Sequence, residues 1–272
     1  MQKVKINNRA NYSKKLNYYF HIINSKFLSL FLPITILIVW FVIEKLHIFS
    51  SAILPNIGQV IESFVNQSTS GQLINDILTS FIRVIQGYLI AVILGVVLGV
   101  LMGINKNINS FFYLTLTSIR QIPMLAWIPL IVLWFGIGET SKIIVIVLAA
   151  FFPILINTIS GIKSTDPKLI EVGKMYNLSK LKLFTKIYLP SAIPSIFVGL
   201  KLGLGISWMA VVGAEIIAAT SGIGYRINDA RSLMQPEVVF VGMIVIAIIG
   251  LLMEQILNKI SKILTPWMNK KA

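Results

Sequence analysis

The sequence predicts an all-α integral membrane protein with six transmembrane helices. The chain is 56% hydrophobic and only 12% charged, and its mean hydropathy is +0.83. Several apolar runs reach the roughly 20 residues with which a helix crosses a bilayer, and most of the charge lies between these runs. The predicted spans cover residues 27–43, 76–103, 110–136, 142–162, 191–219 and 238–263.

The spans divide the chain into a basic N-terminal segment, a first transmembrane helix, a connection, a core with an internal loop, and a tail. These parts are residues 1–26, 27–49, 50–75, 76–264 with the loop at 163–190, and 265–272. Lysine and arginine are concentrated in the N-terminal segment, the loop and the tail, whereas the connections on the opposite side carry few. The positive-inside rule therefore predicts a multi-pass plasma-membrane protein with both termini and the loop in the cytoplasm.

Composition also excludes several functions. The chain has no cysteine, so disulfides and thiolate metal sites are excluded. Its two histidines, His21 and His47, are far apart in the sequence, and we expect neither a metal site nor a catalytic cluster. The net charge of +14 fits lysines that hold loops at anionic membrane lipid better than it fits binding of nucleic acid.

The second span carries small residues at a spacing of four, which places them on one ridge of a helix. We expect this ridge to pack against another helix of the same chain, the alternative being a dimer face. The third span contains Pro123 and Pro129 and the fourth contains Pro153, and we expect kinks there because proline removes a backbone donor. The ridge residues are Gly87, Ala91, Gly95, Gly99 and Gly103.

The loop at 163–190 is predicted to form two short helices. Asp166-Pro167 is a helix start, because Asp accepts from free amides and Pro suits the first helical position. Asn177 is the expected left-handed cap of the first helix, and Ser179 starts the second, which Pro190 is expected to end. Each helix has an apolar stripe: Leu169, Val172, Gly173 and Tyr176 on the first, and Leu181, Phe184, Ile187 and Tyr188 on the second.

The spacing within this loop resembles the EAA loop of binding-protein-dependent ABC importer permeases. That pattern reads E-A-A, three residues, G, nine residues, I-x-L-P. Here the run is Glu171-Val172-Gly173, three residues, Asn177, nine residues, and an ending of isoleucine, tyrosine, leucine and proline at 187–190. Val172 and Gly173 replace the two alanines and Asn177 replaces the glycine, and none of these changes breaks the pattern of helix, turn and helix.

Further segments resemble the nitrate/sulfonate/taurine branch of these permeases, so that the resemblance covers about residues 50–262. They occur in the expected order along the chain. The segments are LPNIGQV at 54–60, TSFIRVIQGY at 79–88, IRQIPMLAWIPLIVLWFGIGETSK at 119–142, GLKLGLGISWMAVVGAEI at 199–216 and SGIGYRINDAR at 221–231.

The resemblance implies a homodimer that associates with two copies of a cytoplasmic ABC ATPase and with an extracytoplasmic substrate-binding protein. ATP and Mg would be bound by the ATPase and no cofactor by this chain, which has no phosphate-binding G-x-x-x-x-G-K-[ST] run and is not expected to be an enzyme. By resemblance, the coupling helix of the loop would dock on the ATPase. The docking residues would be Glu171, Val172, Gly173, Tyr176 and Asn177.

Ionisable residues inside spans are costly and are therefore functional candidates. Arg120 and Lys201 lie inside the third and fifth spans, and they fit a pathway for an anion or, alternatively, an ordering role in the bundle. Glu215, the third pathway candidate, is near the outer end of the fifth span, where we expect it to pair with Arg226 or to meet the partner protein. Arg83 lies near the outer end of the second span, from which its side chain could snorkel to the membrane surface, and a structural role is favoured for it over a functional one.

The connection at 221–231 is the candidate surface for the binding protein, or part of the outer gate beneath it. Gly222 and Gly224 permit a tight turn, and Tyr225, Arg226 and Arg231 are residue types favoured at interfaces. The alternative is a capping turn with solvated charges.

The predicted function is that of the transmembrane permease subunit of an ATP-driven ABC importer, which carries a small anion such as nitrate, taurine or a sulfonate. One alternative is the same type of permease with a neutral or cationic vitamin precursor as solute. An alternative of another class is a self-sufficient secondary transporter or channel, for which an internal repeat or a relay of buried acids is expected.

Overall fold

The structure is a computed structural model, and it describes residues 28 and 30–264. The N-terminal segment 1–26 and the tail 265–272 lie outside the described residues. Within the described part every regular element is helical. The helices are α1 at residues 28 and 30–45, α2 Ile57–Thr69, α3 Gln72–Ile104, α4 Lys106–Arg120, α5 Met124–Phe135, α6 Glu139–Lys163, α7 Pro167–Met175, α8 Lys180–Leu183, a π-helical turn Phe184–Tyr188, α9 Leu189–Ala218, α10 Ile223–Ser232 and α11 Pro236–Leu264.

The chain divides into two compact units, one up to Ile61 and one from Glu62. In the first unit the segment after α1 folds back on that helix: the Trp40 indole donates to the carbonyl of Pro55 at 3.1 Å. The amide of Ile57, the first residue of α2, donates to a carboxylate oxygen of Glu44 at 3.1 Å.

In the second unit, α3 packs along α6 in a parallel orientation through the ridge of small residues. A Cβ added at Gly87 would lie 2.6 Å from Cγ2 of Ile146, and one at Gly103 would lie 2.7 Å from Cβ of Ile162. At these distances the neighbouring helix leaves no room for a side chain larger than the hydrogen atom of glycine. The prediction that the ridge packs against another helix of the same chain is therefore confirmed. The same pairing joins Gly95 to Ile154 and Gly99 to Thr158.

Helix α9 packs against both α6 and α3 and runs antiparallel to them: the Tyr88 hydroxyl of α3 donates to the carbonyl of Leu200 at 2.9 Å. Gly199 and Gly203 of α9 lie against Ile154, and Gly161 near the end of α6 lies against Ala192 near the start of α9. Helices α3 and α6 thus begin, and α9 ends, at one end of the bundle. We call this the far end, and the end that carries residues 163–190 the loop end.

Four helical stretches in the described part are long and apolar enough to cross a membrane: α3, α6, the stretch Lys180–Ala218, and α11. Helices α4 and α5 form a fifth candidate together, but they are bent by 98°. The expectation of one kinked helix at 110–136 is therefore wrong. Pro123 precedes α5 with an extended backbone (ψ 135°), which breaks the helix instead of bending it. Pro129 and Pro153 lie inside α5 and α6, which continue through them.

The expected helix end at Pro190 is also wrong. Helix α8 passes through the π-helical turn directly into α9, which begins at Leu189. The amide of Leu189 donates to the carbonyl of Phe184, five residues back. This wider turn leaves space for the Pro190 ring, and proline is tolerated in the first turn of the helix that follows.

Candidate functional site

The far end holds a buried network of ion pairs centred on Arg83 of α3. Its Nε and Nη2 donate to the two carboxylate oxygens of Glu139, both at 2.6 Å. Its Nη1 donates to Glu215 of α9 at 2.8 Å and to the carbonyl of Ser221 at 2.7 Å. The Arg83 side chain is 3% exposed and that of Glu215 is 0% exposed, whereas Glu139 is 59% exposed. One guanidinium thus joins the starts of α3 and α6 to the end of α9.

Two further pairs complete the network and balance its charge. Lys142 donates to Glu139 at 2.9 Å, and Arg226 donates to Asp76 at 2.9 Å. Three carboxylates therefore face three cations. Removing charges from water is expensive unless each finds a partner of opposite sign, so the pairing makes the burial tolerable.

The same side chains cap the N-terminus of α10, which has no capping side chain of its own. The amides of Gly222, Ile223 and Gly224 donate to Asp76 at 3.2 Å, Ser80 at 3.0 Å and Glu215 at 2.9 Å, in that order. These groups belong to α3 and α9, so the segment 221–231 is held to the bundle by its backbone. The free amides of a helix start always need such acceptors.

Neither Gly222 nor Gly224 could carry a side chain without a steric clash. Gly222 has φ +107°, and a Cβ there would strike the Glu215 carboxylate. A Cβ at Gly224 would lie 2.5 Å from the carbonyl oxygen of Val212. The structure therefore places these two predicted residues in the network, against the bundle. Tyr225 is half-buried, and Arg231 is exposed and donates to Asn228 at 2.9 Å.

The expected pairing of Glu215 with Arg226 is wrong. Glu215 pairs with Arg83, and Arg226 pairs with Asp76, because the turn at Gly222 brings the start of α10 over α3. Sequence reasoning also missed Asp76, Ser80, Glu139 and Lys142 as members. The sequence does indicate part of this network. Residues 76, 80 and 83 follow the helical spacing i, i+4, i+7 and share the buried face of α3 with the small-residue ridge.

The network brings together four of the sequence segments that carry the family resemblance, from three separate regions of the chain. Residues 79–88 supply Arg83, residues 119–142 supply Glu139 and Lys142, residues 199–216 supply Glu215, and residues 221–231 supply the capped backbone.

A second polar region lies towards the loop end, where Arg120 is the last residue of α4. Arg120 lines two neighbouring cavities of about 280 Å³ and 410 Å³, which also share Phe152 and Ile156 of α6. No Asp or Glu of the described chain lines either cavity. The second cavity passes the α4–α5 break at Pro123.

Lys201 does not join Arg120 in these cavities. It is half-buried on α9, and its neighbour Leu202, not Lys201 itself, lines the second cavity. Glu215, the third pathway candidate, lies in the far-end network. Of the three pathway candidates, Arg120 is the one that lines these two cavities.

The loop has the predicted local structure up to Ser179. The Asp166 side chain accepts from the amide of Lys168 at 2.9 Å, and Asn177 has φ +51° after the end of α7. Gly173 is buried inside the loop: a Cβ there would lie 2.6 Å from Leu183 and 2.7 Å from Ile187. Its close contact is therefore with the second helix of the loop.

The large apolar side chains of α7 are exposed, although three of them share a stripe with the buried Gly173. Tyr176 is 78% exposed and Val172 is 48% exposed, and Leu169 and Met175 are exposed beside them. Glu171 and Asn177 are exposed as well. A contiguous patch of large, exposed apolar side chains is typical of a surface that binds another protein.

Among the described residues, no group of three or more His, Asp or Glu side chains is placed to hold a metal ion.

Comparisons with known proteins identify the family of this chain. Residues 91–270 match the family described as "Binding-protein-dependent transport system inner membrane component". A Bacillus subtilis (strain 168) protein, whose name is that of an aliphatic sulfonates transport permease, is 38% identical over 241 residues, which are 89% of this chain and 87% of that one. The taurine transport system permease protein of Escherichia coli (strain K12) is 33% identical over 265 residues, 96% of each chain.

A solved structure supports the fold. The chain of a crystal structure of an amino acid ABC transporter with histidines superimposes with a TM-score of 0.60 at 18% identity, covering 74% of this chain and 96% of that one. The chain therefore belongs to the family of binding-protein-dependent transport system inner membrane components, the permeases of ABC importers.

Proposed function

We propose that two copies of this chain form the translocation pathway for a small organic anion of the sulfonate class, taurine included. The observation that carries this proposal is the position of Arg120, which lines two neighbouring cavities whose described walls contain no carboxylate. Arg120 is exposed at the cavity wall, and no described residue forms an ion pair with it. Such a cation favours an anion, because the ligand supplies the opposite charge.

The names of the relatives point to the same chemistry, since they refer to aliphatic sulfonates and to taurine. The alternative of a neutral or cationic vitamin precursor has no comparable support. A cation entering these cavities would meet Arg120 and no acid.

The energy source in this proposal is an ATPase on another polypeptide, which docks at α7. Support comes from the exposed apolar face of Leu169, Val172 and Tyr176. Gly173 acts indirectly, because its lack of a side chain lets α7 lie close to Leu183 and Ile187. Two ATPase copies would bind ATP and Mg, and movement of the two docked loops would open the pathway to one side or the other.

Orientation follows from the lysine distribution. The loop end would face the cytoplasm, together with both termini, and the far end would face the binding protein. With the first predicted span, 27–43, and the broken α4–α5 span, the chain would cross the membrane six times. The alternative of a secondary transporter is less well supported, because the buried acids Asp76 and Glu215 are held in ion pairs at the far end and form no relay along the pathway.

The test is uptake by the complete transporter, reconstituted in liposomes with its ATPase and its binding protein. Arg120→Met is expected to lower uptake of a radiolabelled sulfonate by about tenfold or more, the usual effect of removing a hydrogen bond to a charged group. Arg120→Lys should keep part of the activity, and recovery of the ATPase with the permease should not change. Uptake at the wild-type rate by a correctly assembled Arg120→Met transporter would contradict the proposal that the anion passes through this cavity.

A further inference from the structure

The smaller of the two cavities has a cation at each end. Arg120 closes it towards the α4–α5 break, and Lys163, the last residue of α6, lies at the loop end beside Asn109. Arg120 and Asn109 are 11 positions apart on α4, which is roughly 16 Å along a helix. The cavity therefore extends from the middle of the bundle to its loop end.

Lys163 is held at the mouth of the cavity by a contact across two helices. Its Nζ donates to Oδ1 of Asn109 at 3.1 Å. A lysine at a helix C-terminus is ordinarily accounted for by the helix dipole, but that does not explain why this one reaches to α4. An ammonium group has three donors, and the bond to Asn109 uses one of them. Because the Lys163 side chain is exposed, the two others are open to water and to a ligand that enters the cavity.

The walls between the two cations are amphipathic. Hydroxyl groups of Tyr113, Thr117 and Ser160 line the cavity together with apolar side chains of Leu116, Leu155 and Ile159. Its volume of about 280 Å³ is at the lower limit of ordinary ligand pockets. The ligand that these walls fit is a small anion with a short apolar part.

We propose that this cavity is the release site of the transported anion, and that Lys163, oriented by Asn109, receives the anionic group after Arg120. This inference rests on the proposed function and adds a specificity-determining residue to it. A second cation at the mouth attracts the anion away from Arg120, so that the deeper site does not retain it. The apolar wall favours solutes with an alkyl chain over compact inorganic anions.

The test uses the full transporter in liposomes, loaded by its binding protein, with taurine and a short alkanesulfonate as two labelled solutes. Lys163→Met is expected to lower maximal uptake of the alkanesulfonate by about tenfold and to increase the ATP hydrolysed per solute imported. The concentration of loaded binding protein that gives half-maximal uptake should stay the same, because release follows loading. Lys163→Arg keeps the positive charge and should retain most of the uptake. Lys163→Gln removes the charge and should retain little of it.

The matched control is Lys106→Met, since Lys106 is an exposed lysine at the start of α4, close to the same end and outside the cavity wall. It should behave as wild type. Asn109→Ala should reproduce part of the Lys163→Met effect, because Nζ is then no longer held at the mouth. Recovery of the ATPase with each variant reports assembly, and Lys163→Gln serves if Lys163→Met assembles poorly.

An anionic lipid headgroup shares the chemistry of the solute, and the lipid composition separates the two. The experiment is run in vesicles of neutral lipid alone and in vesicles with an anionic lipid. A Lys163→Met defect of equal size in both supports the release site, whereas a defect found only with anionic lipid assigns the cavity to lipid and overturns the proposal. Normal coupling in Lys163→Met beside a defective Arg120→Met would overturn this inference alone and leave the proposed function standing.

Discussion

The far end and the smaller cavity both contain clustered polar groups, but they differ in burial and in charge balance. Most of the charged side chains at the far end are buried, whereas Arg120 and Lys163 of the cavity are exposed. At the far end three carboxylates and three cations pair within 2.9 Å, and the backbone of 222–224 uses the remaining acceptor oxygens. In the cavity Arg120 and Lys163 face hydroxyl, amide and apolar groups, with no acid of the described chain in the wall. A complete network holds helices together, whereas an incomplete one has bonding capacity left for a ligand.

The difference also bears on how the molecule can move. Arg83 connects α3, α6, α9 and the segment before α10, so these elements shift together or not at all. The α4–α5 pair has a 98° break beside the cavities. We therefore expect the far-end network to act as a rigid unit and the broken helix pair to change most between transport states.

The largest effect is expected from breaking the far-end network at its centre. Arg83→Met leaves the fully buried Glu215 carboxylate without its cation, and removing one partner of a buried pair typically costs about 3–5 kcal/mol. The variant should lose folded yield and unfold at a clearly lower temperature in a thermal-shift assay. The double variant Arg83→Met/Glu215→Leu should recover part of the loss, since no unpaired charge remains. Equal melting of the single variant and the wild type would show that the network is not what holds the far end.

The next effect concerns Gly222, where both backbone and space exclude a side chain. Gly222→Ala combines φ +107° with a clash at the Glu215 carboxylate, and a strained backbone position of this kind costs about 1–3 kcal/mol. The matched control is Gly205→Ala in the middle of α9, where nothing lies within 4 Å of the added Cβ. There the change should be neutral or should stabilise the helix by up to about 1 kcal/mol. Similar destabilisation in both variants would contradict the structural argument for Gly222.

Substitutions in the loop at 163–190 test whether coupling to the ATPase can be lost while the fold of the chain is kept. Gly173→Trp should displace α7 from Leu183 and Ile187, and Glu171→Lys should reverse a charge on the proposed docking helix. Both should abolish uptake and reduce co-purification of the ATPase, while the chain still inserts and the far end remains intact. Lys106→Trp places the same large side chain on an exposed position at the loop end and should leave association unchanged. Full ATPase recovery and full uptake in Gly173→Trp would remove the docking assignment.

The smallest effect is expected on the outer surface of 221–231. Arg226 pairs with Asp76, so that charge reversal at Arg226 would disturb the network. Arg231 is exposed, and its one partner among the described residues is the nearby Asn228. Arg231→Glu should therefore weaken stimulation of ATP hydrolysis by the binding protein by only a fewfold, and only at low salt, where exposed charges are least screened. Titrations of binding protein at low and high salt measure this. Stimulation identical to wild type at low salt would exclude Arg231 from the contact.

Local chemistry made the loop largely predictable. Asp166, Asn177 and Ser179 act as the caps that the sequence indicates, because a cap depends on residues within three or four positions of itself. The failure at Pro190 has the opposite cause. Whether a proline ends a helix depends on the turn before it, and the π-helical turn at Phe184–Tyr188 removes the clash that a regular turn would create.

By itself the sequence determined where the long apolar helices lie, which face of α3 is small enough for close packing, and to which family the chain is related. Hydropathy and helical spacing act over neighbouring residues, so they can be read along one chain. The tertiary structure alone decided which acid meets which base and that Glu215 pairs with Arg83 and not with Arg226. It also decided that Arg120 lines the two cavities described above while Lys201 lines neither of them. Those outcomes depend on how α3, α6 and α9 pack side by side, and this packing brings together charges that are up to 150 positions apart in the chain.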